Sequence, residues 1–286
     1  MRFPAALIQM HVQPGDLAAN LQRAEQQIAR AAEAGAALAV LPEALDLGWT
    51  HPTSRSHATA IPAGEVCQRL AAAAARHNLY LCAGITEAAG DAVYNAAVLL
   101  DRRGRVVLHH RKLNELAIGH ACYDQGDRLQ VAHTELGVLG VMICADAFAR
   151  GQVISRSLAL MGAEVILSPC AWAVEANHSQ QREPYGQLWR NTYIPVARDF
   201  SIWIAGVSNV GPITAGPWAG RRCIGCSLVV DPRGAVVVEG PYGADANTIL
   251  YCDIEPQPRP ARGDGWQAYW QSAEVDNGSK SDARAQ

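Results

Sequence analysis

The 286-residue chain has no run of 18 consecutive apolar residues, no Lys/Arg run longer than two, and no second CxxC beside "CIGC" at 223–226. The first absence argues against a membrane-spanning helix. The second, with 24 Lys+Arg against 27 Asp+Glu and a net charge of −3, removes the basic footprint that nucleic acid requires. The third leaves a zinc site two ligands short. The opening "MRFPAALIQMHVQPGD" has a short apolar stretch broken by Gln9 and His11, too polar for a signal peptide. Without a secretion signal, the eight cysteines are expected as reduced thiols in a cytoplasmic protein. Charged residues make up only 18% of the chain and hydrophobic ones 49%, enough for a large core without disulfide or metal staples.

What is present is an alternation of helical and strand patterns. After Asp16, an N-cap residue, apolar positions 17, 21, 24, 28 and 31 recur at helical spacing up to Gly35. "AALAVLP" then reads as a buried strand, "EVCQRLAAAAARHN" as a helix and "LYLCAGIT" as a strand. "NAAVLLDRRGRVVLHH" reads as a hairpin. The strand "VLGVMIC", the helix "QVISRSLALMGA", the strand "EVILSP", the helix "YGQLWRNTYIPVARD" and the strand "SIWIAGVSN" follow. The hairpin "CSLVVDPRGAVVVEG" and the strand "ANTILYCDIE" complete the pattern. Hairpins inserted among crossovers predict an α/β protein with mixed sheets. No short repeat or linker interrupts residues 1–255. Residues 256–286 change to a Pro/Arg start and a polar end, expected to form an arm whose Trp266, Tyr269 and Trp270 pack on a neighbouring subunit.

Three reactive groups fall at or just beyond the carboxyl ends of predicted strands: Glu43 in "AVLPEAL", Lys112 in "VVLHHRKLNE" and Cys144 in "VLGVMICAD". Ligands in α/β architectures bind beyond such ends. Singly, each has a plainer reading. A strand-end cysteine is often a small core filler, an acid there can favour a helix N-terminus, and a lysine after a hairpin is usually solvated. Together they make chemical sense. A thiol of ordinary pKa, about 8.5, needs a base or a nearby cation to act as a nucleophile at neutral pH. A carboxylate and an ammonium supply both.

In order and spacing, "AVLPEALDLGW", "YNAAVLLDRRGRVVLHHRKLNE", "GVLGVMICADAFARGQVISRSLALMGAEVILSPCAWA", "LWRNTYIPVARDFSIWIAGVSNVG" and "GCSLVVDPRGAVV" resemble the carbon–nitrogen hydrolase (nitrilase) superfamily. The resemblance spans residues 3–255 and implies an α-β-β-α sandwich and a Glu43–Lys112–Cys144 triad. It also implies a homodimer or higher homo-oligomer and no metal or organic cofactor. The implied chemistry is attack by Cys144 on a small linear amide, with Glu43 as base and the oxyanion held by Lys112 and the Ala145 N–H. N-carbamoyl amides and nitriles are alternative substrates. A non-catalytic binding subunit of the same fold and a metal-dependent hydrolase are rivals from other classes. Relatives often read Cys-aromatic-Asp and then Arg-Phe-Pro-Glu, whereas this chain reads "CADAFARG". A second loop acid behind the lysine, which orients the amine in many relatives, falls on Glu115, with His120 as the competing position. Trp172 is expected to wall the acyl side of the site. Cys223 and Cys226 precede a strand rather than opening a helix, so they read as structural thiols. Asp146 reads as the acid that braces the turn around Cys144.

Overall fold

"FPAALIQ" carries apolar residues on both faces, so it forms a strand covered from both sides, β1 (Phe3–Gln9). Ala6 and Ile8 of this strand pack toward helices, while Ala5 and Leu7 meet a second sheet. The computed structural model describes residues 1–257. Helix α1 (Leu17–Glu33) starts at Asp16, whose carboxylate accepts the Ala19 N–H. Then come β2 (Leu38–Val40), the one-turn α2 (Ser54–His57) and α3 (Glu65–His77). Strands β3 (Tyr80–Ala89), β4 (Ala92–Leu100) and β5 (Val106–Arg111) form a meander. The second half runs β6 (Val131–Thr134), β7 (Gly137–Val141), α4 (Val153–Leu160), β8 (Val165–Cys170), β9 (Ala173–Val174) and α5 (Gln187–Phe200). It finishes with β10 (Trp203–Ser208), β11 (Val210–Pro212), β12 (Arg222–Ile224), β13 (Leu228–Val230), β14 (Val236–Glu239) and β15 (Thr248–Ile254).

Two six-stranded sheets result, ordered β15-β1-β2-β3-β4-β5 and β14-β13-β10-β8-β7-β6, with a small sheet β11-β12-β9 beside them. Both large sheets are mixed. The parallel strands β1, β2 and β3 sit among antiparallel neighbours, as do β7, β8 and β10. Helices α1 and α3 cover the outer face of the first sheet, and α4 and α5 that of the second. Leu7, Val40 and Leu99 meet Leu139, Leu167 and Val207 where the sheets pack face to face. This is the expected α-β-β-α sandwich. Among the described residues, no helix is long and apolar enough to cross a membrane.

Several boundaries differ from the sequence reading. Strands β3 and β4 continue past the expected ends to form one long hairpin, turning at Gly90 with Ala89 paired to Ala92. The strand expected to reach Cys144 stops at Val141, because the chain bends into a 3₁₀ turn over Cys144–Phe148. Helix α4 opens at Val153, since Gln152 adopts a left-handed φ of 51°. The proposed arm, including Trp266, Tyr269 and Trp270, lies outside the described residues apart from positions 256 and 257.

Candidate active site

Glu43 lies three residues past β2, on a loop that rides closely over β3. The Gly84 N–H donates to the Pro42 carbonyl and the Leu45 N–H to the Gly84 carbonyl. A Cβ on Gly84 would stand 2.5 Å from the Glu43 Cα, so only glycine lets this loop seat on the sheet. Lys112 directly follows β5, and its N–H donates to the carbonyl of Asn95 in β4. Cys144 opens the 3₁₀ turn after β7 with φ of 43°, a left-handed conformation that a non-glycine residue adopts only when its surroundings impose it.

Asp146 imposes it. Its fully buried carboxylate accepts the Ile143 N–H at 2.8 Å on the Cys144 side. It also accepts the Leu113 and Asn114 N–H groups, at 3.0 and 2.8 Å, from the lysine loop, and His110 at 2.8 Å from β5. The Asn114 side-chain amide completes the clasp by donating to the Ala145 carbonyl at 2.6 Å. Burial alone would raise the Asp146 carboxyl, but His110 and these backbone donors hold it below the usual carboxylate range. His110 points inward and His109 outward to Glu87, as strand alternation requires.

The Lys112 ammonium is 2% exposed and donates to Glu43 Oε1 at 2.8 Å and Glu115 Oε1 at 2.9 Å. Asn95 bridges the same two carboxylates, donating to Glu43 at 2.6 Å and Glu115 at 2.9 Å. Glu115 is packed under Gly119, where a Cβ would meet its carboxyl carbon at 2.7 Å. One cation therefore faces two buried acids. Burial pushes the Glu43 carboxyl up, with Lys112 opposing and Glu115 reinforcing the rise. Burial disfavours the Lys112 ammonium, yet Glu43 and Glu115 carry its pKa well above the ordinary lysine value. Burial, the neighbouring Cys170 thiol and the charge on Glu43 all raise the Cys144 thiol, against the pull of Lys112. Burial thus makes both the Cys144 thiol and the Glu43 carboxyl weaker acids than they are in water.

Glu43, Lys112, Cys144, Ala145 and Trp172 share the lining of one cavity of about 290 Å³. The Ala145 N–H sits in the first turn of its 3₁₀ segment, where helical bonding leaves donors free. The structure does not bring His120 to this place. It is exposed in the 3₁₀ turn Ala117–Ala121, while Glu115 occupies the position beside the amine. Sequence reasoning missed Asn95, although it is the one amide in the apolar stretch "NAAVLL". It also missed Trp49, Phe148, Tyr185, Trp189 and Trp218, which line the cavity from scattered segments. Cys223 and Cys226 are buried and unbridged, and burial pushes each to about 12.

Comparison with known proteins agrees with this architecture. The model of the carbon-nitrogen hydrolase family matches residues 4–259. A nitrilase of Pyrococcus abyssi is 31% identical over 237 residues, covering 81% of this chain and 82% of its own. The omega-amidase NIT2 of Danio rerio is 27% identical, covering 90% of this chain and 89% of its own. Among solved structures, Saccharomyces cerevisiae Nit3, a member of branch 10 of the nitrilase superfamily, superposes with a TM-score of 0.75 at 25% identity, covering 89% of this chain and 90% of its own. The fold and these similarities together make the chain a member of the carbon-nitrogen hydrolase family.

Proposed function

We propose that the protein hydrolyses the C–N bond of a small linear amide through a thioester on Cys144. The observation that carries this reading is the Lys112 ammonium fixed between Glu43 and Glu115 in a cavity that Cys144 also lines. In the first half-reaction the Cys144 sulfur bonds to the carbonyl carbon as its proton passes to Glu43. The carbonyl oxygen becomes an oxyanion held by Lys112 and the Ala145 N–H. Glu43 then returns the proton to the nitrogen, the C–N bond breaks and ammonia or an amine leaves. Water next attacks the thioester, giving its proton to Glu43, and the carboxylic acid departs as the thiol reforms. Glu115 and Asn95 act through Lys112 and Glu43 by fixing where they point. The raised Glu43 carboxyl suits this shuttle, since a base works best with its pKa close to the working pH.

The residues after the nucleophile favour an amide over a nitrile. Attack on a nitrile gives a planar thioimidate, whereas an amide passes through a bulkier tetrahedral oxyanion, and the small Ala145 leaves room beside the sulfur. A nitrile substrate is favoured by the relatives, several of which, like that of Pyrococcus abyssi, are nitrilases. The deciding experiment measures ammonia release from paired amides and nitriles that share an acyl group, with Cys144→Ala as control. Faster turnover of the nitriles across the pairs would overturn the amide reading.

A further inference from the structure

We infer that the acyl half of the substrate is apolar and carries no anionic group, with an aromatic ring as its preferred form. This rests on the reading of the cavity as the site of a carbon–nitrogen hydrolase. The walls are the first argument. Trp172 stacks on Trp189 with ring centres 4.3 Å apart and planes 24° from parallel, and Phe148 lies 4.4 Å from Trp189. A second aromatic pair, Trp49 and Trp218, meets edge to face at 4.9 Å. Trp49 lies 5.5 Å from the Lys112 ammonium, so this pair begins beside the reacting groups. Leu188 also lines the cavity while 59% exposed, an apolar side chain left where a substrate would enter. Such surfaces favour a flat ring, which can stack or meet an edge, over a flexible chain.

Charge is the second argument. Lys112 is the one Lys or Arg side chain lining the cavity among the described residues, and Glu43 and Glu115 already hold it. A carboxylate on the acyl group would be desolvated beside Glu43 with no free cation to receive it. Arg221 is no substitute. It lies over Trp218 at 4.3 Å and is paired with Glu175 at 3.0 Å. The wider depression beyond Tyr185 sets Glu175 and Glu183 against Arg182, so it offers an anion no net attraction. The volume is the third argument. About 290 Å³ lies just below the roughly 300–1,000 Å³ of sites for drug-sized ligands, matching one ring on a short linker.

The test compares kcat/KM for phenylacetamide, butyramide, the monoamide of succinic acid and a trimethylammonium-acetamide, each beside its matching nitrile. Phenylacetamide should exceed butyramide by about tenfold, within the roughly 10–200-fold range of hydrophobic-pocket discrimination. Both should exceed the carboxylate-bearing monoamide by a larger factor. Trp218→Ala should lower the aryl-to-alkyl ratio at least about threefold, and Leu188→Arg should raise the relative rate of the monoamide. Equal rates for the aryl and alkyl amides, or a faster monoamide or trimethylammonium amide, would overturn the inference. If only the nitriles turn over but keep the same acyl order, the amide reading fails and this inference stands. Should neither series turn over, titration of Cys144→Ala followed by tryptophan fluorescence decides. Binding of phenylacetamide no tighter than butyramide would then end the proposal.

Discussion

Replacing Lys112 by Met should unbalance the site in a way that both stability and pH reveal. Methionine keeps most of the volume and removes the charge. The lost ammonium makes two charge-assisted hydrogen bonds, at 2.8 and 2.9 Å, to carboxylates that are each 1% exposed. At about 1.5–3 kcal/mol apiece, these bonds suggest a loss of roughly 3–6 kcal/mol, in line with the ~3–5 kcal/mol seen when one partner of a buried pair is removed. The cost should depend on pH. Burial already raises the Glu43 carboxyl above its usual value near 4.5, and without Lys112 nothing cationic opposes that rise. Folded protein then holds a proton that unfolded chain releases, so stability falls as pH rises above 4.5 and recovers as pH is lowered toward it. Urea unfolding followed by tryptophan fluorescence at pH 8 and pH 5.5 measures both effects. The deficit relative to wild type should be several kcal/mol at pH 8 and clearly smaller at pH 5.5. Adding Glu115→Gln should recover part of it. A deficit below about 1 kcal/mol at pH 8, or one that does not change with pH, would refute the claim that this lysine neutralises buried acids.

Other expectations follow from the same geometry. Cys144→Ala should abolish ammonia release while unfolding at a urea midpoint close to wild type, since it removes the sulfur and touches none of the Asp146 bonds. Glu43→Gln should reduce kcat by at least about 10²–10³, the lower end of what losing one acid–base group costs, as measured by steady-state ammonia release. Iodoacetamide should modify Cys144 before Cys223 or Cys226, because it opens on the cavity while the others are buried. Its alkylation rate should keep rising above pH 9, as the raised thiol finally ionises; a plateau near neutrality, read by mass spectrometry, would mean a preformed thiolate. Asp146→Asn should lower both stability and kcat, because an amide cannot accept all four donors around that position.

The sequence was legible where a pattern is local. Helix α1 announces itself through Asp16 and a 3.6-residue stripe, and the turns at "DRRG" and "DPRG" mark their hairpins. The end of β3 and start of β4, "EAAGDAV", contain poor strand formers, and they are held in register by the opposite strand rather than by their own preference. Strands β9, β11 and β12 are two or three residues long, too short for any periodicity to register. Among the candidate residues, the types and strand-end positions of Glu43, Lys112 and Cys144 stood out. Choosing between Glu115 and His120 needed the path of a non-repetitive loop, which depends on Gly119 and Asn95 rather than on spacing. Of the aromatic walls only Trp172 was legible, because Trp49, Trp189 and Trp218 join it from separate segments.

The pairing of β15 with β1 has a consequence for how the protein is made. Ile254 lies opposite Phe3, so the first sheet gains its edge strand only when nearly all of the described chain exists. The chain leaves that sheet after Arg111, builds the second, and only then returns. At about 5–20 residues per second, the roughly 140 residues between Arg111 and Ile254 take some 7–30 s to synthesise. Until β7, β8 and β10 emerge the nascent first sheet has no cover for its apolar inner face, and its β1 edge stays open for the whole interval. A ribosome-tethered chain stalled near residue 130 should therefore recruit chaperones or aggregate. A circular permutant joining the ends near β1 and β15 and opening at Gly104 would instead deliver those two strands consecutively, as a local hairpin.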